Sequence, residues 1–368
     1  MSGYQVYRLD RQTDRQTDRQ TDRQTDRQTE LENCNFVKTV LMFLVILYYS
    51  CLFWADIGWF QGNPLNHSNL LKYFSLWLNS FHVQGFTLVA GYIYYYLWYE
   101  SKRYSYFIGF VHNKIKRLLV PYVFVSVIWV IPISVYFFDY GISDVIKKYV
   151  LATSPSQLWF LWMLFDVFIV VYPLSDWLRN NNKLSFSFGI GLVIIGIAYG
   201  RVIPNVFCIW KGLSYVIYFL IGFKIRQYGV NYISKVSPCG WGAIHVLLYH
   251  FVTNQRGFNG IIFKVVNLGL TIVLQVVGSI MAFMVLQAIA RLVNWKNSSL
   301  FKEFTSKSMS IYLLHQQIIC FTIYWFNGIV NPYLNAAINF LVAVVVSYSI
   351  AEFMFRYKSL RVLMGEKG

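Results

Sequence analysis

The chain alternates long apolar runs with short polar connections that carry most of its lysines and arginines. The runs lie near residues 36–54, 74–97, 118–138, 157–178, 184–200, 206–225, 240–253, 262–290, 309–327 and 333–355. A helix needs about 20 apolar residues to cross the hydrocarbon core of a bilayer. The pattern therefore predicts an all-α integral membrane protein of about ten transmembrane helices. The seventh run sits at the lower edge of a spanning length, as expected of a re-entrant or tilted segment, and the eighth is long enough to cross at a tilt.

Before the first run, a tetrapeptide Arg-Gln-Thr-Asp repeats from about Asp10 to Thr29. It is polar, balanced in charge and has no apolar face, which predicts a disordered tail. The chain thus divides into a repeat tail (1–35), a membrane domain (36–357) and a basic C-terminal tail (358–368). The repeat can also be written as a four-base unit. Because four and three share no factor, every reading frame of such a tract encodes the same peptide cycle, while gain or loss of one unit shifts everything downstream. This reads as a slippage-prone on/off switch of expression, of the kind that varies a bacterial surface. Mixed codons in the gene would exclude it.

Charge then orients the spans. One set of connections holds Lys102, Arg103, Lys114, Lys116 and Arg117, then Arg179 and Lys183, Lys224, Arg226 and Lys235, Arg291 to Lys307, and the tail from Arg356 to Lys367. The alternate set is poorer, with Asp56, Lys72, Asp139, Asp144, Lys147, Lys148, Arg201 and Arg256. The positive-inside rule places both termini in the cytoplasm.

Composition fits that class: 57% hydrophobic and 13% charged residues, with mean hydropathy +0.45, are too apolar to coat a soluble surface. The net charge of +16 would otherwise point to nucleic acid. Here the cations flank spans and serve topology, so no nucleic-acid partner is expected. The five cysteines are scattered, without a CxxC pair, so neither a disulfide framework nor a metal site is expected.

Polar groups at membrane depth are costly and mark a bundle interior or a wet cavity. His82 and Gln84 fall in the second run, Asp166 in the fourth, His245 and His250 in the seventh, and His315, Gln316 and Gln317 in the ninth. His82 can serve as a general base or a packing imidazole, and His315 carries the same two readings. Asp166 reads as an acid paired to a cation across the bundle. His245 and His250, five residues apart, do not share a helical face. Lys114, Lys116 and Arg117 suit an anionic cosubstrate, although topology alone would also explain them.

Four blocks, NSFHVQGFTLVAGYIYYY, FIGFVHNKIKRLLVPY, SQLWFLWMLFDVF and SMSIYLLHQ, resemble in order and in register those of the acyltransferase 3 family of bacterial membrane acyltransferases. The resemblance covers most of the chain from about Phe36 to Tyr357. It implies O-acyl transfer, with acetyl-CoA as cytoplasmic donor, a surface polysaccharide such as lipopolysaccharide or capsule as acceptor, and residence in the bacterial inner membrane. The family carries an Arg-x10-His pattern on the first span and an Arg-x-x-Arg pattern before the third. Here the second reads Lys114-Ile115-Lys116-Arg117. The first reads Lys38, ten residues, then Tyr49, so a phenol stands where the family has its histidine. With a reference pKa of about 10, a phenol is a poor general base at neutral pH. Three readings follow: an impaired enzyme, a Tyr49 proton relay with His82 as base, or a variant particular to this copy. The candidate catalytic set is therefore His82, Tyr49, Lys38 and His315, with Lys114, Lys116 and Arg117 for the donor. A glycan transporter is the rival from another class, although the halves show no clear self-similarity.

Overall fold

A computed structural model describes residues 3–55, 60, 62–230, 233–254 and 260–366, with side chains from residue 25 onward apart from 261. Asp56, Arg256 and Lys367, which enter the charge pattern, lie outside the described residues. All regular elements described are helical. In chain order they are α1 (Gly3–Leu52), α2 (Asn69–Asn79), α3 (His82–Tyr95), α4 (Phe107–Phe138), α5 (Ser156–Asn180), α6 (Asn182–Tyr199), α7 (Val206–Tyr228), α8 (Pro238–Thr253), α9 (Ile261–Leu292), α10 (Ser299–Phe326), α11 (Pro332–Phe355) and α12 (Lys358–Leu363).

Seven of these are long and apolar enough to cross a membrane: α1 from Thr25, α4, α5, α6, α7, α9 and α11. The other three expected spans fall short for separate reasons. The second is broken into α2, of 11 residues, and α3, which continues through a π-helical turn to Glu100 but is diluted by His82, Gln84 and its tyrosines. The seventh, α8, has only 16 residues. The ninth, α10, is diluted by Ser310, His315, Gln316 and Gln317. Outward faces carry exposed Val127, Leu247 and Val345, as a lipid-facing surface requires. The chain is a multi-pass membrane protein.

Two expectations change. The repeat does not appear as a disordered tail, because α1 continues back through it to Gly3. No Pro or Gly interrupts Asp10–Thr29, so the apolar half of α1 can seed a helix that propagates into the polar half. The third span also starts earlier than expected, at Phe107. Lys114, Lys116 and Arg117 therefore ride on the helix, beside a π-helical turn at Ile115–Leu119.

The bundle centres on α3 and α7. A Cβ on Gly91 would lie 2.0 Å from the Phe219 carbonyl oxygen, and one on Gly222 only 1.8 Å from that of Leu88. Only glycine permits the two backbones to approach so closely. At the end of α3 the contact is sealed by charge. Buried Arg226 grips Glu100 through two hydrogen bonds of 2.8 and 2.6 Å and donates to Tyr92 Oη at 3.1 Å. Tyr92 in turn donates to Glu30 Oε2 at 2.9 Å, and Arg291 pairs with Glu30 at 3.1 Å. Arg226 also donates to the Arg27 carbonyl at 2.8 Å, so the last copy of the repeat is docked onto the bundle.

Gly222→Ala is expected to cost about 1–3 kcal/mol by overpacking and to lower the melting temperature of the detergent-solubilised protein. Gly242→Ala, with open space around its Cβ, should leave melting unchanged. Equal melting of Gly222→Ala and the parent would refute the close α3–α7 contact.

Candidate functional site

The short polar pair Asn79-Ser80 breaks the second span, since such side chains compete with the helix for backbone partners. Ser80 Oγ donates to the Trp77 carbonyl at 2.6 Å and lies 3.0 Å from His245 Nε2 on α8. Because the serine hydrogen is already used, His245 must donate there. His245 thus props the break and lies outside both cavities described below, while His250 stays exposed beside Asn254.

Directly after the break, His82 opens α3, almost completely buried. Its Nδ1 sits 2.6 Å from the Leu78 carbonyl. A carbonyl only accepts, so Nδ1 carries the hydrogen and the lone pair is left on Nε2. His315 on α10 is held in the same way, Nδ1 to the Tyr312 carbonyl at 2.5 Å, and its Nε2 is buried without a partner. An aromatic chain joins the two imidazoles. His82 packs on Tyr48 (4.7 Å between centroids), Tyr48 on Tyr49 (5.0 Å) and Tyr49 on His315 (5.2 Å).

His82, Tyr48 and Tyr49 line a cavity of about 270 Å³ with Asn79, Gln84, Trp159, Lys211, Tyr215 and Gln275. A second cavity, of about 310 Å³, holds Lys38, Lys114, Arg117 and Glu366 among aromatic and aliphatic walls. The two share Val45, Val83 and Tyr312. They therefore adjoin along one wall, with the His82 imidazole and Lys211 in one and Lys38, Lys114 and Arg117 in the other. Lys114 Nζ rests 3.5 Å from the Phe168 ring centre and within 5.2 Å of those of Tyr104 and Phe110, contacts that fix its position among the rings. Lys116 is exposed and outside the lining of both cavities. The C-terminal tail folds back: Met364 is fully buried, Gly365 (φ +84°) lies against the Arg117 carbonyl, and Glu366 enters the second cavity. Burial pushes the Glu366 carboxyl up, while Arg117, Lys38 and Arg361 pull it down.

A buried amide network sets α10 in place. Gln157, fully buried at the start of α5, donates through Nε2 to the Leu313 carbonyl (2.8 Å) and to Gln317 Oε1 (2.6 Å). Its backbone N–H donates to Gln316 Oε1 (2.9 Å), and Tyr312 Oη donates to its carbonyl (2.5 Å). These bonds fix the turn bearing Tyr312 and His315. Asp166 does not form the cross-bundle pair expected of it: among the described residues it joins no ion pair, and its Oδ2 is buried without a partner against Gly212. The interhelical space there is filled by the approach of Asp166 Cβ to Gly212, leaving no room for a long cation.

Sequence reasoning overlooked Gln157, Lys211, Gln275 and Glu366. For Gln157 a signal existed, a lone amide opening the run SQLWFLW; for Lys211, a lone cation near the start of the sixth apolar run.

Compared with known proteins, residues 31–352 match the acyltransferase 3 family, described as an acyltransferase domain. No curated protein and no solved structure matches the chain.

Gln157→Leu should lower stability by about 1–3 kcal/mol, the cost of stranding the buried Gln317 amide. Adding Gln317→Leu should recover part of that loss in thermal melting. Strictly additive losses would show that the two amides are not coupled.

Proposed function

The chain belongs to the acyltransferase 3 family, which makes it a membrane acyltransferase in general class, and from that premise we propose that it is an O-acetyltransferase of the bacterial inner membrane acting on a surface polysaccharide such as lipopolysaccharide or capsule. We place ten crossings and both termini on the cytoplasmic side, by the distribution of lysine and arginine. The observation that carries this reading is the pair of adjoining cavities, cationic in one and imidazole-bearing in the other.

Acetyl-CoA would enter from the cytoplasm with its phosphates near Lys38, Lys114 and Arg117, and its thioester would reach the wall formed by Val45, Val83 and Tyr312. The sugar hydroxyl would come from the opposite side, against His82. Nε2 of His82 takes the hydroxyl proton as the oxygen attacks the thioester carbon. A C–O bond forms, the C–S bond breaks, and the proton passes to the departing thiolate. Positioning in two abutting chambers supplies effective concentration. Tyr49 and His315 complete the wall behind His82 through their ring contacts. Membrane lipid surrounds the bundle. The four-residue repeat supports phase-variable expression by slippage. A catalytically impaired member is the second reading, favoured by the phenol of Tyr49 in the place of the family's histidine.

The test is transfer of labelled acetyl from acetyl-CoA to cell-surface glycan. His82→Ala should lower the rate by about a hundredfold or more, the usual scale of general-base loss. Arg117→Met should raise the donor KM by about tenfold with kcat nearly kept, as expected for a lost charge-assisted phosphate contact. A large gain in Tyr49→His would establish the impaired reading. No labelled glycan from either the parent or Tyr49→His would sink the proposal.

A further inference from the structure

The first cavity has an opening chemistry of its own, at the end remote from Lys114 and Arg117. Lys211 reaches into it from the first turn of α7, its Nζ 3.9 Å from the centre of the Trp159 ring. Among the described residues Lys211 joins no ion pair, and no carboxylate lines this cavity. A lysine held on an indole face leaves its N–H donors free for a ligand. Across the same cavity Gln84, 2% exposed, presents an Oε1 with no hydrogen-bond partner. A buried amide oxygen without a donor is costly unless something supplies one.

The backbone around this corner is built to hold it. Ala152 and Ser156, just before Trp159, have φ of +49° and +47°, and Phe207 and Cys208, just before Lys211, have φ of +52° and +59°. Such conformations are unfavourable for residues with side chains and persist where the surroundings dictate them. The two strained loops clasp each other: Phe207 N–H donates to the Leu151 carbonyl at 2.7 Å, and Cys208 Sγ to the Ala152 carbonyl at 3.1 Å. They fix Trp159 and Lys211 relative to one another before any ligand arrives.

We propose that this corner is an acceptor subsite for an anionic sugar, Lys211 taking a carboxylate or phosphate of the glycan while Gln84 Oε1 accepts a hydrogen bond from one of its hydroxyls. Lys211 meets the charge from its place on the Trp159 ring, so it selects the acceptor while His82 takes the proton. This deepens the acyltransferase reading by naming its acceptor class, and it rests on that reading.

The test measures binding without donor, by titration calorimetry on the full-length protein in nanodiscs of zwitterionic lipid. The probes are a glucuronate-bearing trisaccharide, its methyl ester, and a glycosyl phosphate with its free sugar. The parent should bind one of the anionic probes about tenfold more tightly than its neutral counterpart, the scale of one charge-assisted contact. Lys211→Met should erase that difference and leave the neutral probe within about twofold, with unchanged melting. Gln84→Leu should weaken charged and neutral probes alike. Which anionic probe is preferred separates carboxylate from phosphate. Equal binding of charged and neutral probes by the parent would overturn the subsite, as would a Lys211→Met loss common to both. So would anionic lipid added to the nanodiscs abolishing the discrimination, since Lys211 would then be a headgroup contact. Labelled transfer to cell-surface glycan, measured in parallel, tells failure of this subsite from failure of the acyltransferase reading.

Discussion

Lipid offers no hydrogen bonds, so each polar group carried into this bundle must be met by another or face a cavity. That constraint explains both what is rigid and what is reactive in the structure. Gln157 satisfies backbone and amide partners on α10 at once, and Arg226, Glu100, Tyr92 and Glu30 satisfy one another at the end of α3. Among the buried polar atoms left without a partner, Gln84 Oε1 belongs to a residue lining the first cavity and His315 Nε2 lies beside it, whereas others such as Asp166 Oδ2 and Asn339 Oδ1 belong to residues that line neither cavity.

The α3–α7 contact converts that inventory into geometry. Because Gly91 and Gly222 let the two backbones touch, the helix that begins with His82 is pinned to the helix that begins near Lys211. The break at Ser80 then aims His82 sideways into the cavity instead of along a continuous helix. His245, read from sequence as one of two unrelated histidines, acts here as a prop for that break. One buried imidazole, His245, thus supports the break after which another, His82, begins α3.

Much of this was legible in the chain. Apolar runs located the helices, and His82, Tyr49, Lys38, Lys114 and Arg117 were singled out by residue type and by the resemblance they carry; all five line one of the two adjoining cavities. What escaped depends on pairs far apart in sequence. Lys211 has no significance until Trp159 is seen beneath it, and Glu366 looked like the end of a basic tail until Met364 was found buried. Lys116 went the other way: the motif included it, but it is exposed and lines neither cavity, unlike Lys114 and Arg117. Asp166 misled for a related reason, since an acid at membrane depth suggests a cation, whereas its side chain packs closely against Gly212.

The phenol of Tyr49 acquires a definite meaning from its neighbours. It lies between Tyr48 and His315 in a stack that starts at His82. An imidazole in its place would set three histidines around one cavity wall, two of them with Nδ1 already committed to carbonyls and Nε2 carrying the lone pair. With tyrosine there, the basic lone pairs near the wall belong to His82 and His315, and only His82 lines the cavity. On the proposed mechanism the proton-accepting role would pass from α1 to α3 within the same two cavities. An acyl donor and a hydroxyl would still meet at Val45, Val83 and Tyr312, and the base meeting them would come from the second span instead of the first.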